Sequence, residues 1–211
     1  MPRGINLIQN LYKSRLIIKN MVLGLALIIG IIFAVLVVII AFIFIYYYNR
    51  FVVLENRIDN SLSQIDVQLK KRADLVPALV KTVSGYAKHE KKIFTEVTNA
   101  RASLLKGGDV AKRVKAGDQL QGALGRLFAV AENYPNLKAN ENFLQLQTEL
   151  SAIEDKVAYA RQYYNDSVLE LQNSSEKFPG VFFFNLYGRQ KKDFLKIPES
   201  NKAMPSIDFE E

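Results

Sequence analysis

The chain has 211 residues, 49% of them hydrophobic, with a formal net charge of +7, no cysteine and a single histidine. Without cysteine there is no thiol nucleophile, disulfide switch or sulfur-ligated metal, and one histidine cannot pair with another on zinc. Four of the 28 basic residues (Arg3, Lys13, Arg15 and Lys19) lie before Arg50 with no acid among them, which leaves 24 basic against 21 acidic, or +3, from Arg50 onward; a phosphate-backbone binder rests on more basic contacts than that balance offers, so no nucleic-acid partner is expected.

Residues 1–20 read as a basic N-terminal tail. Residues 21–48, MVLGLALIIGIIFAVLVVIIAFIFIYYY, carry no charge and are bounded by Lys19 and Arg50. About twenty apolar residues cross a hydrocarbon core roughly 30 Å thick, so this stretch is expected to be a transmembrane helix. Tyr46, Tyr47 and Tyr48 stand where an aromatic belt belongs. The stretch is longer than the roughly 7–15 apolar residues of a cleavable signal peptide and no A-x-A-like site follows it, so an uncleaved signal anchor is expected. The Lys and Arg bias, four before the span against Arg50 and Arg57 after it, predicts a cytoplasmic N-terminus and an extracytoplasmic domain. Membrane lipids are the first expected partner, through the anchor and the basic tail.

Residues 50–173 read as a helical bundle. Ile58, Ile65, Arg72, Leu79, Tyr86, Ile93 and Ala100 interleave with Leu62, Leu69, Val76, Val83, Glu90, Val97 and Leu104 at 4-3 spacing. That spacing makes one apolar stripe, interrupted only by Arg72 and Glu90, on a long first helix. Pro77 removes a backbone donor and crowds the carbonyl of Ala73, so a kink is expected there, with the helix continuing to Gly107-Gly108. Asp109 is placed to cap a second helix over about Val110 to Ala131, weakened by Gly117, Gly122 and Gly125. Asn140 is placed to cap a third, with Phe143, Leu150, Val157, Tyr164 and Leu171 along its seam. The expected architecture is therefore all-α: one transmembrane helix, then an antiparallel up-and-down bundle of three helices with a long, Pro77-kinked first member.

Residues 174–211 read as an irregular C-terminal strap and tail. Pro179, Pro198 and Pro205 forbid a long helix, and FPGVFFFNLYGRQKKDF sets aromatic beside basic residues. Phe178, Phe182, Phe184 and Tyr187 are expected to dock into a groove of the bundle; the alternative is an interfacial contact with lipid.

The chemistry search returns no catalytic set, no cofactor-binding set and no metal-ligating set. His89 sits in the polar run Lys88-His89-Glu90-Lys91-Lys92, Glu149 and Glu154-Asp155 read as solvated or ion-paired, and Gly107-Gly108-Asp109 lacks the strand and spacing of a phosphate loop. The remaining candidates are Arg72, Asp74 and Pro77. A buried Arg72 requires a carboxylate such as Glu149 or Glu154, which would set register between helices; the alternative is a seam opening beside Pro77 into a partner-binding groove.

The stretch NSLSQIDVQLKKRADLVPALVKTVSGYAKHEKKIFTEVTNARA (Asn60 to Ala102), with AENYPNLKANENFLQLQTEL (Ala131 to Leu150) and YARQYYNDSV (Tyr159 to Val168), resembles the LemA family of bacterial membrane proteins. The FPG strap is similar to that family's C-terminal region. The resemblance implies a short tail, one anchor and a helical bundle with no established enzymatic activity. It also implies association with envelope quality control, notably with membrane-embedded proteases. The N-terminal extension is longer than the family pattern, and aromatics replace small apolar residues in FFFNLYG. The function expected is a membrane-anchored scaffold or adaptor of the bacterial envelope that binds protein partners without turnover; regulation of a membrane protease is the alternative.

Overall fold

The computed structural model describes residues 3–196, and among them are six helices and no strand. Helix α1 runs from Arg3 to Tyr86 as a single element of 84 residues. It contains the apolar span, whose side chains are largely uncovered except at its C-terminal end, where Phe44 and Tyr47 meet the strap, and continues without interruption past Arg50 into the bundle. The apolar stripe does the expected work there: Leu54, Ile58, Ile65, Leu69, Val76, Leu79 and Val83 are all buried.

The stripe does not stay on one helix. After Tyr86 the chain turns at 87–90, and α2 (Lys91–Leu105) folds back along α1. The bundle therefore has four long helices, not three, and the first ends at Tyr86 instead of at Gly107-Gly108. The polar intrusion at Glu90 marks the turn: its backbone (φ −88°, ψ 38°) leaves the helical region, and its carboxylate accepts a hydrogen bond from the Tyr134 hydroxyl at 3.3 Å. The heptad phase survives because both arms of the hairpin bury an apolar face in the same core.

Gly107 (φ 72°) and Gly108 (φ 129°) terminate α2 in a conformation that L side chains rarely adopt. Asp109 then caps α3 (Val110–Ala131), its carboxylate accepting from the Lys112 amide at 2.8 Å. Gly117 is buried against Leu69, whose Cδ2 would stand 2.6 Å from an added Cβ, so this glycine is where α3 approaches α1 closely. Gly125 is exposed with nothing near it. Gly125→Ala is therefore expected to stabilise the chain by about 0.5–1 kcal/mol, seen as a higher urea midpoint.

A short α4 (Pro135–Lys138) leads into α5 (Glu141–Glu176), a helix of 36 residues capped by Asn140, whose Oδ1 accepts from the Phe143 amide at 3.0 Å. α5 runs back along α1 toward the span. Beyond the ends of α2 and α3, α1 and α5 continue as a pair, closed by α6 (Gly180–Leu186) and the extended segment 189–196. The core accordingly has two clusters. The larger joins α1, α2, α3 and α5; the smaller gathers Phe51, Leu54, Ile58, Tyr164, Val168, Leu171, Phe183 and Phe184 beside the span.

The strap packs differently from expectation in detail. Phe183 and Phe184 are buried, Tyr187 is partly so, and Phe178 and Phe182 are exposed. Asn165 fixes the returning segment with paired hydrogen bonds to Leu195, 2.9 Å to its amide and 3.0 Å to its carbonyl, and the Tyr164 hydroxyl donates to the Asp193 carbonyl at 2.9 Å. Pro198 and Pro205 lie outside the described residues. A Cβ at Gly180 would fall 2.0 Å from the Ser174 carbonyl oxygen, a contact that backbone cannot relieve cheaply. Gly180→Ala is expected to lift α6 off α5, raising amide exchange over Val181–Tyr187 while the unfolding of the larger cluster is little changed.

Candidate functional site: a charged layer and an open groove

Arg72 lies on the buried side of α1, 3% exposed. Around it α3 contributes Asp118 and Gln121, and α5 contributes Glu154 and Arg161. Arg161 pairs with Asp118 at 2.5 Å and also reaches the Val114 carbonyl at 3.5 Å; Gln121 donates to Glu154. Nearly two turns nearer the span, Arg113 of α3 pairs with Asp66 of α1. Two cations (Arg72 and Arg161) thus face two anions (Asp118 and Glu154) across three helices. Burial pulls the Arg72 guanidinium below its ordinary value, and the field of Glu154 is the largest influence opposing that, with Asp118 adding to it and Arg161 acting against it. An arginine retains its proton at neutral pH all the same.

Arg72 makes no direct ion pair among the described residues, and its Nε has no hydrogen-bond partner. Glu154 is the acid that shares its layer; Glu149 is exposed and bonded to Gln145 at 3.1 Å. Asp74 is exposed on the other side of α1. Pro77 is exposed as well, but its consequence is internal. A proline at 77 cannot donate to the carbonyl four residues back, at Ala73, which is fully buried. Arg101 of α2 supplies the missing donor, its Nε lying 2.8 Å from the Ala73 oxygen. Pro77 and Arg101 together therefore stitch α2 to α1 at a position where the helix could not satisfy itself.

Alongside this layer, α1 and α5 leave an open groove of about 920 Å³ lined by Asn60, Gln64, Gln68, Asp155, Tyr159 and Tyr163, among others. Gln68 Oε1 is buried without a partner. Sequence reasoning missed this groove because it followed the apolar stripe; the signal was present in the adjacent stripe, where Asn60, Gln64 and Gln68 recur every fourth residue. Among the described residues no group of three or more His, Cys, Asp or Glu side chains is gathered as a metal site, and His89 sits exposed in the α1–α2 turn.

A single apolar span continuous with an antiparallel helical bundle, its core crossed by a balanced charge layer, defines a membrane-anchored helical-bundle protein. The chain belongs to the LemA family, whose model matches residues 61–209. It is similar to the protein LemA of Metamycoplasma hominis, 32% identical over 113 residues, or 53% of this chain and 51% of that one. It is also similar to the magnetosome protein MamQ of Magnetospirillum gryphiswaldense, 25% identical over 174 residues, which cover 70% of this chain and 64% of the relative. The magnetosome protein MamQ 2 of Paramagnetospirillum magneticum matches at 25% over 175 residues, 71% of this chain and 64% of that one. The chain thus spans a little under two thirds of the length of the MamQ relatives it matches.

Proposed function

We propose that the chain is a membrane-anchored scaffold of the bacterial envelope that binds protein partners without turnover. In this reading residues 21–48 are the anchor, 50–173 the presenting bundle and 174–211 a strap and tail, with the N-terminus cytoplasmic and the bundle extracytoplasmic. The observation that carries it is α1 itself: one helix from Arg3 to Tyr86 serves as both anchor and first bundle member. No flexible linker separates the two, so a tilt of the span moves the bundle directly. The groove between α1 and α5 is the surface offered to a partner's helix, with tyrosines for apolar contact and amides for hydrogen bonds. Arg72 and Pro77 act indirectly by fixing the helices that form the groove, and Asp74 is a surface contact. Relatives named as magnetosome proteins support a role in a membrane-associated assembly.

Site-specific photocrosslinking in intact cells tests this. A crosslinker at Tyr159 in the groove is expected to give a defined adduct with an envelope protein, and one at Ser103 of α2 is not. A membrane protease as that adduct would favour the regulatory alternative. The same background from both positions would contradict the scaffold reading.

A further inference from the structure

We propose that the outward face of α6 lies in the headgroup layer of the bilayer, so that the chain touches its membrane at two places: the span and this short helix. α6 is two-faced. Phe183 and Phe184 are buried in the junction core, whereas Phe178 just before the helix is 88% exposed, Phe182 61% and Leu186 55%. Exposed aromatic and aliphatic side chains in such a cluster are a liability in water and an asset in an interface.

What covers them follows from where α6 is tied. Phe183 and Tyr187 pack edge-on to Phe44, with ring centroids 5.8 Å and 5.2 Å apart, and the Tyr187 hydroxyl donates to the Phe44 carbonyl at 2.9 Å. Tyr47 stacks on Phe183 at 5.2 Å. Phe44 belongs to the uncharged stretch of α1. The roughly 30 residues between Lys19 and Arg50 make a helix of about 45 Å, the thickness of a hydrocarbon core with its headgroup layers. Phe44, about 9 Å below Arg50 at the helical rise, then stands where the headgroup layer meets the hydrocarbon. α6 also packs on Phe51 through Phe184, at 5.3 Å, and so lies between that boundary and the outer edge of the layer. Exposed Tyr46 and Tyr48 continue the aromatic surface on α1. Lys177 and Lys192 flank α6 and are exposed, as suits contact with anionic headgroups. The face is therefore continuous with the span, and lipid is the occupant that the span already brings to it. The docked-strap and interfacial readings of this segment hold together, one on each face.

The chain has no tryptophan, so Phe182→Trp and Phe178→Trp, made singly in the full chain, are clean fluorescent probes. Both positions are exposed and tolerate the change without repacking. The variants are reconstituted in phosphatidylcholine–phosphatidylglycerol vesicles, with Tyr159→Trp on the bundle as control. Emission from positions 178 and 182 is expected to shift to the blue, to be quenched by lipids brominated high on the acyl chain and to resist aqueous iodide, independently of protein density. The control is expected to behave oppositely. Iodide quenching without bromolipid quenching at 178 and 182 would overturn the proposal. So would shielding that appears only as protein density rises, which would assign the face to a second copy of the chain.

Discussion

Arg72→Glu is expected to unfold the bundle or to leave it destabilised by about 3–5 kcal/mol, the cost of an uncompensated charge in a protein interior. The substitution sets a carboxylate among Asp118 and Glu154 and leaves Arg161 as the only cation of the layer, already engaged with Asp118. Arg72→Met is the informative companion. It takes one cation from the layer, but Glu154 keeps its hydrogen bond from Gln121 and is only half-buried. An apolar side chain of similar length is therefore expected to destabilise the bundle clearly less than Arg72→Glu, which adds a like charge as well. Urea unfolding of the full chain, followed by helical circular dichroism, measures both. The pair also separates the two roles considered for Arg72. Loss of folding in Arg72→Glu fits a residue that sets register between α1, α3 and α5. A folded variant that loses the Tyr159 crosslink fits a residue that shapes the groove.

The second large effect is a coupling. Arg101→Met removes the donor to the Ala73 carbonyl, which Pro77 leaves without a helical partner, and an orphaned buried acceptor costs about 1–3 kcal/mol. With Pro77→Ala in place, the amide at 77 becomes available to Ala73. Arg101→Met is then expected to cost little more than an ordinary surface change, about 0.5 kcal/mol or less. The double-mutant cycle should return a coupling energy of about 1–2 kcal/mol although the two side chains need not touch, since they share one carbonyl. Additive effects would mean that water, and not Arg101, serves Ala73 in solution.

The span, the apolar stripe and the caps at Asp109 and Asn140 were legible because each rests on local chemistry: charge-free length, helical period, a short side-chain acceptor. The α1–α2 turn was not. A heptad pattern reports which face is buried and is blind to whether the chain reverses, since the arms of a hairpin can hold the same phase. Glu90 was visible as an intrusion on the stripe, and Tyr134, which bonds it, is 44 positions away. Arg72 was legible as a buried cation, and Glu154 as an acid near it. Its lack of a direct partner was not, because Gln121 and Asp118 come from α3, whose placement depends on that hairpin. The donor role of Arg101 was hidden for the same reason. The strap's docking was expected, but which phenylalanines dock depends on how α6 is turned against Phe44 and Phe51, a tertiary matter.

At the junction between span and bundle, Arg50 joins Glu170 at 3.0 Å and Ser174 at 3.2 Å, Arg57 joins Glu170 at 3.3 Å, and Arg189 pairs with Glu55. The two pairs on Glu170 are exposed and contribute little stability singly, whereas the pair of Arg189 with Glu55 is largely covered; together they hold α5 and the strap to one segment of α1. That bracing is what a rigid lever from bilayer to bundle requires. Because the chain has no cysteine, the lever can be measured directly with spin labels at Phe33→Cys in the span and Ser63→Cys in the bundle, in lipid nanodiscs. A continuous helix places these backbones about 45 Å apart at the helical rise, so a single narrow distance distribution near that value is predicted. A broad distribution extending to much shorter distances would mean a hinge at Arg50, and would contradict the account that span and bundle move as one body.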